Sequence, residues 1–212
     1  MSFKKNKYQV LENAISFELA NFCFNYLLLK SKAIKFLYEN NHIKESDFFG
    51  SWQDQQVPGS YSMYADQVME TLLMKVLPVI KEKTKLDLVP TCSYVRLYEK
   101  GSILQRHIDR PSCEISTTLN LGGDVWPFYL EPSGKLGKKG IKINLKPGDM
   151  LIYSGCELEH WREKFEGELC GQVFLHYNNK SGPFADHNLY DKRVYLGLPA
   201  RFKRYQGKND TR

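Results

Sequence analysis

Apolar residues in the first part of the chain recur every three or four positions, at Ile15, Leu19, Phe22, Tyr26, Leu29, Ala33 and Phe36. That spacing predicts an amphipathic helix. Ser16 suits its N-cap, Glu18 its first turn, and Asn40-Asn41 ends the pattern. A loop with Gly50, Pro58 and Gly59 follows. A second helix is expected over 61–83, with Tyr64, Val68, Leu72, Val76 and Ile80 on one face, bent or ended near its last turn by Pro78. From about residue 91 the period becomes two. Strands are expected over 92–98, 114–121, 126–130, 141–145, 150–153 and 169–177, separated by Gly- and Pro-bearing turns such as Lys146-Pro147-Gly148-Asp149. Many short strands with turns between them indicate a sandwich or barrel, and helices before strands indicate an α+β fold with the N-terminal helices packed on one face.

Length adds that 212 residues suit a single domain. Its expected parts are a mainly helical support (1–90), a β core (91–180) and a basic C-terminal extension (181–212) holding loop and one short element. The formal net charge of +6 gathers at the ends, in Lys4, Lys5 and Lys7 and in Lys192, Arg193, Arg201, Lys203, Arg204 and Lys208. Solvated tails or attraction to a polyanion both follow from that. No aromatic-interleaved basic motif points to nucleic acid. The five cysteines are odd in number with no CxxC spacing, which argues against a disulfide framework or a cysteine zinc site and suits a reducing cytoplasm. The N-terminus lacks the apolar run of a signal peptide, and no stretch has the roughly 18 unbroken apolar residues of a membrane span.

The chemistry gathers at His107-Ile108-Asp109. Two residues apart on a strand, the imidazole and the carboxylate face the same way. His160, after the Lys-Pro-Gly-Asp turn and its strand, supplies a third ligand. Two histidines and one carboxylate leave three positions open on an octahedral metal, as a non-haem Fe(II) centre needs for a cosubstrate and O2.

In this order the pieces resemble a known family. Tyr98, Gly101, His107-Ile108-Asp109, the strand over 115–121, the run Leu145-Lys146-Pro147-Gly148-Asp149-Met150-Leu151-Ile152-Tyr153 and His160 are similar to the double-stranded β-helix (jelly-roll, cupin-like) core of the Fe(II)/2-oxoglutarate-dependent oxygenases, in their prolyl 4-hydroxylase-like branch. The resemblance implies a dioxygenase using Fe(II), 2-oxoglutarate and O2, with ascorbate as an auxiliary reductant. It would hydroxylate an unactivated C–H of a prolyl residue in a peptide, a free amino acid or another small molecule. His107, Asp109 and His160 would be the metal ligands. Tyr98, nine residues before His107, matches the family's cosubstrate-contacting tyrosine. Ser116, Thr118 and Asn120 share one strand face, and Gln172 and His176 another.

The family's basic residue about ten positions after the distal histidine is absent, since Glu168-Leu169-Cys170-Gly171-Gln172 occupies that stretch. Arg162 and Arg96 are the substitutes for binding the far carboxylate of 2-oxoglutarate. Arg96 could equally sit in an ion pair with Glu114, Glu157 or Glu159. Arg110 and Glu114 address a charged substrate from the barrel mouth or pair with each other. Trp126, in Trp126-Pro127-Phe128-Tyr129, is a pocket wall or core, and Trp161 packs around the site. The competing reading is a cupin-like metal-binding protein, an isomerase or sensor without oxygenase activity. Nucleic-acid demethylation needs a base-flipping lid that no segment supplies.

Overall fold

The first helix begins where its cap residue stands, with the Ser16 hydroxyl accepting from the Leu19 N–H. The computed structural model describes residues 2–184 and 188–204. Its elements are α1 (Phe3–Asn6), β1 (Tyr8–Leu11), α2 (Phe17–Glu39), β2 (Tyr61–Tyr64), α3 (Gln67–Thr84), β3 (Leu88–Glu99), β4 (Leu104–His107), β5 (Ile115–Gly123), β6 (Phe128–Leu130), β7 (Ile141–Ile143), β8 (Met150–Ser154), β9 (His160–Arg162) and β10 (Leu169–Asn179). Short 3-10 helices lie at Pro111–Cys113 and Leu189–Lys192.

The expected α2 forms, but a different face is buried. Ala20, Cys23, Leu27, Ser31 and Ile34 face the sheet, while Phe22, Leu29 and Phe36 are exposed. The reason is close packing. The Phe24 ring lies on Gly122 and Gly171, where an added Cβ would come within 2.8 and 2.6 Å of it, so the small residues of α2 are turned inward. The helix expected over 61–83 is divided. Residues 61–64 are strand β2, Ala65 takes a left-handed φ of 57°, and the Asp66 carboxylate caps α3 by accepting from Val68 N and Met69 N. Pro78 does not end α3, which runs on to Thr84 with Val76 and Ile80 buried on either side.

The strands form two antiparallel sheets, ordered β1-β8-β5-β10-β3-β2 and β4-β9-β6-β7. This is an α+β fold with a double-stranded β-helix core. Helices α2 and α3 cover the outer face of the six-stranded sheet, and Leu27, Leu73, Ile80, Val95, Leu119 and Val173 form the core there. Smaller apolar groups, with Tyr98, Trp126 and Phe165 in one and Phe128, Leu151 and Tyr153 in the other, fill the space between the sheets. The Lys-Pro-Gly-Asp turn closes as its residues require. Gly148 holds a φ of +94°, its N–H reaches Asn120 O, and the Asp149 carboxylate accepts from Lys146 N and Asn13 N.

The basic ends are only partly the solvated tails expected. Residues 8–11 add an edge strand to β8, and Lys7 pairs with Glu157. In the C-terminal segment Arg193 is fully buried against Glu70, whereas Arg201, Lys203 and Arg204 are exposed. Lys208 lies outside the described residues. No helix among the described residues is long and apolar enough to cross a membrane.

Candidate metal centre and its cavity

His107 ends β4 and His160 begins β9, directly opposite each other in the register of the smaller sheet. Asp109 lies just beyond β4 rather than on the strand, held by its N–H to Gly155 O at 2.8 Å. Its Oδ1 is 3.7 Å from His107 Nε2 and 3.5 Å from His160 Nε2, and the three ligand atoms fall within 4.8 Å of one another. Each imidazole is turned by its other nitrogen. His107 Nδ1 donates to Gln105 O at 2.7 Å and His160 Nδ1 to Leu158 O at 2.9 Å. Both Nε2 lone pairs therefore face one point, the arrangement metal-bound histidines take. Burial, with His160 beside it, pushes the His107 pKa down, which favours the neutral ligand form. Burial alone would raise the Asp109 carboxyl. The neighbouring imidazoles of His160 and His176 and the Ser116 hydroxyl instead hold it well below the usual carboxylate range. Ser116 Oγ occupies Oδ2 at 2.6 Å, leaving Oδ1 to the site. This donor set fits a divalent metal with open positions.

Gly155 is a site residue that its sequence position does not reveal. A Cβ there would lie 2.4 Å from Asp109 Oδ2, 2.4 Å from Cys113 O and 2.6 Å from Ser116 Oγ. Gly155→Ala should displace the carboxylate and weaken Fe(II) or Zn(II) binding by about 10- to 100-fold, read by calorimetric titration. Wild-type affinity in that variant would show that the carboxylate has room to move.

A cavity of about 460 Å3 opens over the three ligands, bordered by Asp54, Tyr94, Arg96, Arg110 and His176. Arg96 is committed to Asp54 at 2.7 Å and to Gln56 at 2.6 Å, so it ties the loop between α2 and β2 to β3. None of Glu114, Glu157 or Glu159 is its partner. Glu114 accepts from Asn178 Nδ2 and Asn179 N, Glu157 pairs with Lys7, and Glu159 pairs with Arg106. Nor do Arg110 and Glu114 pair with each other. Arg110 makes a two-pronged contact with Asp191, at 2.8 Å on each side, across the cavity mouth.

Arg162 lies deeper. Its guanidinium sits between the Trp126 and Phe128 rings, 5.1 and 5.2 Å from their centroids. It donates to Trp126 O and, at 3.3 Å, to Thr118 Oγ1, itself bonded to Gln172 Oε1. Among the described residues it meets no acidic partner, and its Nε has no hydrogen-bond partner. Burial without a counter-charge pushes its pKa down. Cys170, at the position where a basic residue is missing, lies close enough to feel this charge. Tyr98 is buried beside it and packs edge-on against Trp126 at 4.7 Å. Trp126 is thus core beneath Arg162, not a wall of the cavity, and its indole N–H goes to Glu163 O. Asn120 spends its Nδ2 on Leu145 O, stapling the turn. Trp161 faces away from the site, stacked on Tyr129 and under Arg106, because it alternates with the inward His160.

No family model matches the chain, and no curated protein matches it. Solved structures do. A prolyl-4-hydroxylase from Pseudomonas putida aligns with a TM-score of 0.62 at 12% identity, over 84% of this chain and 95% of that one. HygX from Streptomyces hygroscopicus, crystallised with nickel and 2-oxoglutarate, aligns at 0.57 and 12% identity, over 86% of each chain. A prolyl hydroxylase from Trichoplax adhaerens, in complex with a hypoxia inducible factor peptide fragment, aligns at 0.56 and 14% identity, over 84% and 86%. The chain shares the double-stranded β-helix fold of the Fe(II)/2-oxoglutarate oxygenases.

Proposed function

We propose that this protein is an Fe(II)- and 2-oxoglutarate-dependent dioxygenase that hydroxylates an unactivated C–H of a small molecule or a peptide. One observation carries the reading. A three-ligand centre shares strand β9, through His160, with a fully buried arginine that meets no acid among the described residues. A buried cation without a counter-ion is costly unless an anion arrives. A dicarboxylate cosubstrate supplies one end for a metal and the other for Arg162. The stretch after His160 holds no basic residue at the usual place, and this reading assigns that role to Arg162, two residues past His160 on β9.

When bound, Fe(II) supplies the activation of O2 that couples oxidation of 2-oxoglutarate to succinate and CO2 with hydroxylation. The protein's residues position and shield. His107, Asp109 and His160 would hold the metal. Arg162 and the Thr118 hydroxyl take the far carboxylate, with Tyr98 and Gln172 beside them. The Asp54–Arg96 pair keeps the loop over the cavity and limits entry of water. Arg110, half-exposed at the mouth, faces the substrate. The cysteines are all unpaired, which supports a reducing cytoplasm as the compartment.

The test is succinate formation. Purified protein given Fe(II), 2-oxoglutarate and O2 should form succinate above a chelator-treated control, even without a substrate. No iron-dependent succinate together with no 2-oxoglutarate binding would sink the reading.

A further inference from the structure

Ser116 on β5 stands opposite His176 on β10 in the sheet register. Its hydroxyl lies 2.6 Å from Asp109 Oδ2, 2.9 Å from Cys113 O and 2.9 Å from His176 Nδ1. A hydroxyl has one proton to give. The Asp109 carboxylate and the Cys113 carbonyl are both acceptors, so whichever of them takes that proton, none remains for the imidazole. The His176–Ser116 bond then requires Nδ1 to carry a proton and donate it. Burial pushes the His176 pKa down to about 4, so the ring is neutral near pH 7. A neutral ring protonated at Nδ1 has a bare lone pair at Nε2. Nε2 finds no partner among the described residues. It is not sealed inside the protein either, since His176 lines the cavity beside Cys92, Arg110 and Asp109.

We propose that His176 Nε2 is a substrate-docking acceptor, which takes a hydrogen bond from an N–H or O–H group of the substrate above the metal centre. Ser116 is the positioning residue that holds it in the acceptor tautomer, through its bond to Asp109. The proposal rests on the oxygenase reading for the word substrate. It gives that reading a chemical selectivity. A molecule carrying a donor at this point pairs with Nε2. An ester, ether or tertiary amide presents acceptor to acceptor and leaves the nitrogen unpaired, a penalty of about 5- to 100-fold in affinity.

Nitrogen-15 imidazole spectra of Zn(II)-loaded protein at pH 7 test it. The diamagnetic metal keeps the resonances sharp, and His107 and His160 report metal binding separately. If those two do not respond to Zn(II), the metal reading fails while His176 can still be read. The expected result is Nδ1 in the protonated range and Nε2 in the unprotonated range for His176. Addition of N-methylacetamide or 2-propanol, which carry a donor, should move Nε2, and N,N-dimethylacetamide should not. A response to one donor probe alone assigns the subsite to amides or to hydroxyls. Ser116→Ala should leave a mixture of the two tautomers. An Nε2-protonated or doubly protonated ring in the wild-type protein overturns the proposal. So does an equal response to all three probes, no response to either donor, or an unchanged tautomer in Ser116→Ala.

Discussion

Replacing Arg162 with Met should weaken 2-oxoglutarate binding by about 30-fold to several thousand-fold while making the ligand-free protein more stable. The loss follows from a charge-assisted pair in a dry site. Truncating one partner of a buried charge pair costs about 2–5 kcal/mol, and each 1.4 kcal/mol is tenfold in affinity. The gain in stability follows from the same burial with the sign reversed. In the absence of ligand the guanidinium is buried with no carboxylate beside it among the described residues and an unpaired Nε. Apolar replacement of a buried charge is often stabilising by about 1–4 kcal/mol. Freeing the Trp126 carbonyl and the Thr118 hydroxyl offsets part of that. A net gain of about 1–2 kcal/mol corresponds to a Tm higher by about 2–8 °C for a chain of this size. Thermal melts and calorimetric titration measure both halves. Wild-type protein should also rise in Tm on adding 2-oxoglutarate, and Arg162→Met should not. Arg96→Ala is the contrast. Its guanidinium is already neutralised by Asp54, so its loss should loosen the loop and alter the dissociation constant far less. A larger effect from Arg96→Ala, or unchanged binding in Arg162→Met, would move the carboxylate seat elsewhere.

The contrasting surroundings of Arg162 and Arg193, one buried without an acid among the described residues and one buried against Glu70, mark what is legible in the sequence. Both are basic residues in a basic chain, and their partners decide their roles. Arg162 could be singled out because it stands two positions after His160 and so shares its face on β9. Arg193 could not, because Glu70 is 123 positions away and only the docking of the C-terminal segment on α3 brings them together. The same holds for Asp54 and Asp191, which reach Arg96 and Arg110 from segments with no pattern of their own.

Local signals fared better. Ser16 and Gly148 stand where cap and turn geometry require them. The ligand triplet was readable because the proximal pair is local and the distal histidine follows a recognisable turn and strand. Strands β1 and β9 lie outside the expected strand ranges and β2 lies inside the expected helix, while β4 carries His107 but ends before Asp109. Apolar residues surround α2, so their spacing does not select its buried face. Close approach of Phe24 to two glycines, rather than spacing, sets its rotation.

Arg193→Ala should cost about 3–5 kcal/mol of stability, because it strands a buried carboxylate. The Arg193 side chain is fully buried, and every guanidinium donor group has a partner. Nε donates to Tyr190 O at 2.9 Å, Nη1 to Glu70 Oε2 at 3.1 Å and Leu198 O at 2.7 Å, and Nη2 to Glu70 Oε1 at 2.6 Å and Thr91 O at 3.0 Å. Glu70 in turn accepts from Ser93 N and Gly197 N. For a chain of this size the loss corresponds to a Tm lower by about 6–20 °C. The consequence extends to the cavity. Two residues before Arg193, Asp191 binds Arg110 and Tyr64 at the mouth. Tyr190, Asp191 and Lys192 hold left-handed φ values of 53°, 53° and 65°, which non-glycine residues keep only under constraint. Releasing the Arg193 anchor removes that constraint, so Arg110 should lose its partner along with the stability. The exposed Arg201, paired with Asp47 at the surface, is the control, and Arg201→Ala should change stability by less than about 1 kcal/mol. The double variant Arg193→Met with Glu70→Leu should recover most of the loss, since the unpaired carboxylate carries the penalty rather than the missing contact. Denaturant melts of the four proteins decide it. An Arg193→Ala variant as stable as Arg201→Ala would mean that the C-terminal segment is not held by this pair in solution.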